Sequence, residues 1–221
     1  MKRISIVLSL LACFIFTSCE QEIELVKIHT DFGDIYVYLY DATPIHKANF
    51  IKLAKSGFFD GTTFHRIIPN FMIQGGDPNS KDDNINNDGE GGPEYKGEPN
   101  TFKDPNSNTY TIAAEIKPDI KHKYGSVAGA REGDDVNPEK RSSGSQFYIV
   151  ENKNGTPHLD GKYTVFGEVV YGMDVVEKIA AQPKNNANNR PMKDIKMKVE
   201  IIKVKPSALS KKYKWTMPDH K

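Results

Sequence analysis

Between residues 25 and 204 the apolar residues come in short runs, and nearly every run is closed by Gly, Pro or Asn. Such runs fall at residues 63–68, 71–74, 125–130, 146–150, 165–170 and 195–204. Many short strands punctuated in this way predict a barrel or a sandwich. The first pair is the clearest: residues 25–29, the turn Asp31-Phe32-Gly33 and residues 35–40 read as a β-hairpin. In its second strand Ile35, Val37 and Leu39 alternate with Tyr36, Tyr38 and Tyr40, the period of a sheet with two distinct faces. Only two segments keep helical spacing. Thr43 and Pro44 supply an N-cap and a first-turn proline, Ile45, Ala48, Phe50, Leu53 and Ala54 a buried stripe, and Gly57 a stop. Met173, Val176 and Ile179 mark a second helix over residues 173–181.

The chain has 221 residues, room for one full domain. Its 30 Lys and Arg against 29 Asp and Glu leave a net charge of +1, without the field that gathers phosphate backbones, so no nucleic-acid partner is expected. A mean hydropathy of −0.57 excludes a multi-span membrane protein. Both cysteines, Cys13 and Cys19, lie in the first twenty residues, which removes disulfides, thiolate zinc and thiol chemistry from the body of the chain. That N-terminal stretch reads as an address: Lys2 and Arg3 precede an uncharged run over residues 4–16, too short to span a bilayer. It ends Phe16-Thr17-Ser18-Cys19, which resembles the lipobox of bacterial lipoproteins. The resemblance implies a signal over residues 1–18, lipid on Cys19 and a tether over residues 19–23. The other reading is an ordinary signal with Cys19 a bystander. Leu11-Ala12-Cys13 competes as a cleavage site and is rejected, because it would leave an apolar new terminus.

Two polar stretches flank the patterned regions. Residues 77–108 are too long for an inert connector and read as an insertion or a functional loop. Within it Asn84, Asn86, Asp88 and Gly89 invite a calcium loop, but Asn stands at the first ligand position and Tyr95 at the twelfth, so no metal is expected there. Residues 206–221, with Lys211, Lys212, Lys214 and Trp215, read as a solvated, partly ordered tail.

Chemistry concentrates in Phe64-His65-Arg66-Ile67-Ile68-Pro69-Asn70-Phe71-Met72-Ile73-Gln74-Gly75-Gly76-Asp77, a strand, a proline turn and a strand. Alternation places Arg66 on one face with Phe64 and Ile68. An arginine among apolar residues needs a partner, and Gln74 on the second strand is the candidate; an edge arginine lying over apolar surface is the alternative. His65 points the other way, as a structural histidine rather than a general base. A second dense segment, Ser142-Ser143-Gly144-Ser145-Gln146-Phe147-Tyr148-Ile149, is followed by Leu159-Asp160-Gly161-Lys162 and by Val165-Phe166-Gly167-Glu168-Val169.

Together these stretches resemble the signatures of the cyclophilins, the cyclosporin-binding peptidyl-prolyl cis-trans isomerases, over residues 24–205. The resemblance implies a mainly β fold, a closed eight-stranded antiparallel barrel capped by two helices, with binding on its outside. Arg66 matches the catalytic arginine and Gln74 the glutamine beside it; Phe71 and Met72 match the floor of a proline pocket that Leu159 closes. Gln146 and Tyr148 match the next wall, where the family usually has phenylalanine in place of Tyr148. Ala128, in Ser126-Val127-Ala128-Gly129-Ala130, matches a small residue lining the substrate groove. On the rim His158 stands where many members have tryptophan and Tyr163 where they often have histidine, so cyclosporin should bind weakly. The expected partners are proline-containing unfolded or partly folded polypeptides and, through the lipid, a membrane of the bacterial cell envelope; the chain is expected to act as a monomer. Rotation about an amide needs no nucleophile, metal or cofactor, and none is expected. A lipid-tethered proline-peptide binding module or chaperone without turnover is the rival of another class.

Overall fold

The computed structural model describes residues 20–105 and 107–218. The signal segment and Cys19 lie outside these residues. Among the described residues eleven strands and three α-helices follow one another. β1 (Ile23–Thr30) and β2 (Gly33–Leu39) form the expected hairpin, with Ile28 opposite Ile35 and Val26 opposite Val37. Thr30 closes the turn: its hydroxyl donates to the Gly33 carbonyl at 2.9 Å and accepts from the Phe32 N–H at 3.1 Å. Gly33 has φ +128°, and a Cβ there would lie 2.9 Å from Val175, so both backbone and packing require glycine.

The remaining strands are β3 (Arg66–Ile68), β4 (Met72–Gly75), β5 (Thr101–Lys103), β6 (Tyr110–Ile112), β7 (Ser126–Gly129), β8 (Ser142–Ser143), β9 (Phe147–Val150), β10 (Val165–Tyr171) and β11 (Lys198–Val204). Eight of them make one antiparallel sheet in the order β11-β1-β2-β10-β7-β9-β4-β3. β5, β6 and β8 form a separate small sheet that the sequence pattern did not announce, built partly from the polar stretch after residue 77. The end strands β3 and β11 are approached by segments that meet: Thr63 bridges Lys196, and the Phe64 N–H donates to the Ile195 carbonyl at 2.9 Å.

Alternation along the strands gives the large sheet two apolar faces. Phe147 and Ile149 of β9 and Ile73 of β4 join Ile28, Ile35, Phe50, Phe59 and Phe166 in the main core. Tyr148, Val150 and Met72, their immediate neighbours, belong to a second cluster on the other face. Phe64 departs from the expected alternation: it is fully buried in the main core with Ile67, while Ile68 lies with the second cluster. The regular strand begins only at Arg66, so positions 64 and 66 are not related by the strand period.

Helix α1 (Pro44–Lys55) buries His46, Phe50, Leu53 and Ala54, whereas Ala48 is exposed and Ile45 only half-buried. The helix is rotated from the expected stripe because a polar residue on its inner face is fully partnered. His46 Nδ1 meets Glu115 Oε2 at 2.7 Å and its Nε2 meets the Ser142 hydroxyl at 2.9 Å. Thr43 occupies the cap position without capping; Glu115 instead accepts from the N–H groups of Ile45 and His46. α2 (Met173–Ala180) buries Val175, Val176, Ile179 and Ala180 against the sheet.

A third helix, α3 (Pro206–Tyr213), corrects both the count of two and the picture of a solvated tail. Leu209 is buried, Trp215 packs on Tyr38 with ring centres 5.2 Å apart, and its indole N–H donates to Glu168 at 2.7 Å. Tyr213 lies 4.3 Å from Tyr171 and 6.1 Å from Tyr36. The tail thus covers the tyrosine face of the hairpin, leaving Tyr38 only 2% exposed. Glu20 accepts hydrogen bonds from the backbone N–H and the hydroxyl of Ser207, which ties the start of the described chain to the first turn of α3. Among the described residues no helix is long and apolar enough to cross a membrane.

Candidate active site

The register of four neighbouring strands draws the site as a row. Arg66 on β3 stands opposite Gln74 on β4, Gln74 opposite Tyr148 on β9, and Tyr148 opposite Ala128 on β7. Side chains directly opposite in antiparallel strands share a face, so this row lies on the face away from the main core. Pro69 and Asn70 turn the chain between β3 and β4, and Asn70 takes the left-handed conformation, φ +59°, that asparagine tolerates. That short turn brings Arg66 and Gln74 together across eight residues.

Arg66 Nη1 donates to Gln74 Oε1 at 3.1 Å and lies 3.9 Å from the Met72 sulfur. Gln74 Nε2 donates to Gln146 Oε1 at 3.1 Å, and Gln146 Nε2 donates to the carbonyls of Gly89 and Gly91 at 2.8 and 2.9 Å. Among the described residues Arg66 makes no ion pair. Burial lowers its pKa from the ordinary arginine value, but a guanidinium stays protonated across the neutral range. The result is a half-buried cation oriented by the Gln74 amide, which Gln146 braces, and, among the described residues, not neutralised by a carboxylate.

Beside it is a cleft of about 170 Å³ lined by Phe71, Met72, Tyr148, Leu159 and Tyr163, with Ala130 and Arg131 at its edge. Tyr163 meets Tyr148 edge-on at 5.9 Å and carries the Arg131 guanidinium 4.6 Å above its ring. His158 stacks on Phe71 with ring centres 5.8 Å apart. A larger polar cleft of about 480 Å³ adjoins it, sharing Gln74, Ala130 and Arg131 and bounded by Gly89, Gly91, Lys103, Glu139 and Arg141.

Most residues singled out in the sequence therefore converge, with two corrections. Ala128 is fully buried within the second cluster and lines neither cleft; Ala130, two residues on, lines both. The strand ends at Gly129, and the small residue that borders the clefts is the one just past it. Gln146 lies behind Gln74 and borders the larger cleft rather than the apolar one. Arg131 carried no signal in the sequence, because its role depends on meeting Tyr163 across the fold. His65 is buried, 5% exposed, and lines neither cleft. Burial lowers its pKa, against the opposing pull of Asp77 and Asp88. The polar loop also takes part: Asp77 accepts from the Gly89 N–H, and Asp88 pairs with Arg190 at 2.5 Å. Among the described residues no group of three or more His, Cys, Asp or Glu is placed to hold a metal ion.

A donor that stays charged at neutral pH, on the wall of a small cleft that also has aromatic and aliphatic walls, suits chemistry in which a nitrogen becomes a hydrogen-bond acceptor in the transition state. Comparison with known proteins agrees. The family described as cyclophilin type peptidyl-prolyl cis-trans isomerase/CLD matches residues 25–201. The peptidyl-prolyl cis-trans isomerase CYP18-1 of Arabidopsis thaliana is 36% identical over 185 residues, covering 83% of this chain and 98% of its own. The peptidyl-prolyl cis-trans isomerase-like 2 of Cryptococcus neoformans is 38% identical over 169 residues, and there the chain spans only 25% of the relative's length. Among solved structures, the cyclophilin type isomerase of Cryptosporidium parvum superposes with a TM-score of 0.64 at 27% identity, covering 83% of this chain and 98% of that one. The same protein has been crystallised in the presence of the dipeptide Ala-Pro.

Proposed function

The chain belongs to the cyclophilin-type peptidyl-prolyl cis-trans isomerases, and on that premise we propose that its apolar cleft seats the proline of unfolded or partly folded polypeptides while Arg66 stabilises the twisted amide. The observation that carries this is the Arg66 guanidinium, without an ion pair among the described residues and held at the cleft by Gln74, whose amide donates in turn to Gln146. Resonance keeps an X-Pro bond planar, with a rotation barrier of about 20 kcal/mol. On twisting, the prolyl nitrogen loses conjugation and its lone pair becomes a hydrogen-bond acceptor, so an N–H donor placed there favours the transition state alone. Phe71, Met72, Tyr148 and Leu159 hold the pyrrolidine ring as a fixed point against which the peptide rotates. Turnover of an X-Pro peptide by the purified domain tests the reading; proline-peptide binding without turnover would favour the binding-module alternative. The eight-stranded sheet is read as a closed barrel, supported by the Thr63–Lys196 bridge, and the working unit as a monomer.

His158 bears on ligand preference. It covers Phe71 with an imidazole where a tryptophan would offer a broader ring and an indole donor. Forfeiting about 60 Å² of apolar contact at roughly 25 cal/mol/Å² loses about 1.5 kcal/mol, and a missing hydrogen bond adds about 1 more. Cyclosporin should therefore bind tens of fold more weakly than to a tryptophan-bearing site. His158→Trp is expected to tighten cyclosporin by at least about tenfold while changing kcat/KM only a few fold. Equal, tight inhibition of both forms would show that position 158 does not meet the ligand.

For location, the reading is a lipoprotein of the bacterial cell envelope anchored through Cys19. The support is in the sequence: Lys2 and Arg3, the uncharged run, and the small residues before the cysteine. Stable attachment requires more than one acyl chain on that residue, since a single chain anchors only marginally. Cys19→Ala should move the protein from the membrane fraction to the soluble one; unchanged membrane association would count against the anchor.

A further inference from the structure

Tyr148 turns its hydroxyl away from the cleft into a region closed to water, where Tyr148 is 5% and His122 3% exposed. A hydroxyl buried there needs a partner. His122 Nε2 lies 3.0 Å from it, and His122 Nδ1 lies 2.8 Å from Asp160 Oδ1. An ionised carboxylate only accepts, so Nδ1 carries the proton, and Nε2 accepts from the tyrosine. Burial holds the imidazole's pKa below its usual value, against the pull of Asp160, consistent with that neutral form.

The backbone of His122 completes the attachment. Its N–H donates to the same Asp160 oxygen at 2.9 Å, and its carbonyl accepts from the Thr156 N–H at 2.8 Å. Thr156 and Asp160 bracket the 3-10 helix Pro157–Leu159, so the turn that carries His158 and Leu159 is tied at both ends to one residue. The His122 ring lies parallel to Tyr148 at 6.2 Å and edge-on to Tyr163 at 6.4 Å. The fit leaves no slack: a Cβ at Gly155 would come within 2.4 Å of the His122 carbonyl oxygen.

We propose that His122 is a positioning residue for the proline cleft, setting the Tyr148 wall through its ring and the Leu159 wall through Thr156 and Asp160. The inference rests on the isomerase reading of that cleft. Arg66 makes no hydrogen bond to this array, so the expected signature is a split in which substrate affinity falls and the turnover step is kept. His122→Asn retains a short N–H donor for Asp160 and leaves the Tyr148 hydroxyl without an acceptor. It should raise KM for an X-Pro peptide roughly five- to tenfold with kcat within about twofold. Adding Tyr148→Phe removes the orphaned hydroxyl and should return KM to within about threefold of the wild type. A merely structural histidine would lower activity in proportion to the folded fraction, read from thermal melts of the same samples. An unchanged KM in folded His122→Asn, or a rise that Tyr148→Phe does not reverse, overturns the proposal. Should His122→Asn fail to fold, His122→Gln keeps an acceptor for the hydroxyl and gives up the ring bond to Asp160. There KM should rise and Tyr148→Phe should not rescue it, and an unchanged KM overturns the proposal equally. Absence of turnover in the wild type would defeat the isomerase reading and this inference with it; wild-type turnover with either negative result defeats this inference alone.

Discussion

Arg66→Ala is expected to lower kcat/KM for an X-Pro peptide about a hundredfold, and by no less than about tenfold, with little change in fold. A hundredfold corresponds to about 2.7 kcal/mol, what one charge-assisted hydrogen bond made only in the transition state supplies in a site shielded from water. The fold should survive because, among the described residues, Arg66 has no ion pair to orphan, and Gln74 keeps its bond to Gln146 when the guanidinium is gone. Activity should also be level between about pH 6 and pH 9, since the guanidinium stays charged and no proton is transferred. His65, buried with its pKa lowered and lining neither cleft, is expected to add no neutral limb. A steep limb near neutrality would point to a histidine base, and full activity in the variant would return the protein to the class of proline-binding modules. The measurement is peptide isomerisation by both forms across that pH range.

Glu115→Ala is expected to be the most destabilising of the changes considered, costing about 3–5 kcal/mol and roughly 10 °C in melting temperature. One carboxylate does three jobs. It accepts from the Ile45 and His46 N–H groups at 3.0 and 2.9 Å, capping α1, and it meets the buried His46 ring at 2.7 Å. Removing it uncaps the helix that carries Phe50 and Leu53 into the core and leaves the buried His46 Nδ1 without its partner, Ser142 still meeting Nε2. Burial acts to raise the Glu115 pKa, but the hydrogen bonds from the His46 ring and the two N–H groups outweigh it, and the carboxyl is held below its usual range. A carboxylate depressed in the folded state stabilises fully above the unfolded value and loses that contribution as pH falls through the folded one. The gap in melting temperature between wild type and Glu115→Ala should therefore be constant above about pH 5 and shrink below pH 4. A gap that is small at pH 7, or that widens in acid, would contradict the capping role. Thermal melts of the two proteins from pH 3 to pH 8 make the comparison.

What could be read in the chain is what short stretches encode. The hairpin of β1 and β2, helix α2 and the pairing of Arg66 with Gln74 each depend on a local period and a nearby turn, and each was legible before any contact was known. Phe71, Met72, Tyr148, Leu159 and Tyr163 were named from motifs; strand register places Met72 and Tyr148, and the turn, the 3-10 helix and the loop after it bring Phe71, Leu159 and Tyr163 to the same cleft. Where the reading failed, distant residues had decided the outcome. The inner face of α1 turns to His46 rather than Ala48 because Glu115 and Ser142, 69 and 96 residues away, satisfy the imidazole. Tyr38, on the tyrosine face of the hairpin, is buried because Trp215 returns to cover it and finds Glu168 for its indole N–H. Phe64 leaves the face of Arg66 because its N–H pairs with Ile195, which holds the chain out of strand geometry until residue 66. His122 had no motif, and its part emerges only where Tyr148, Thr156 and Asp160 meet it. Periodicity and turn chemistry act over a few residues and determine strands, helices and their immediate neighbours. Whether a polar or aromatic group can be buried depends on a partner remote in the chain, and only the tertiary structure supplies it.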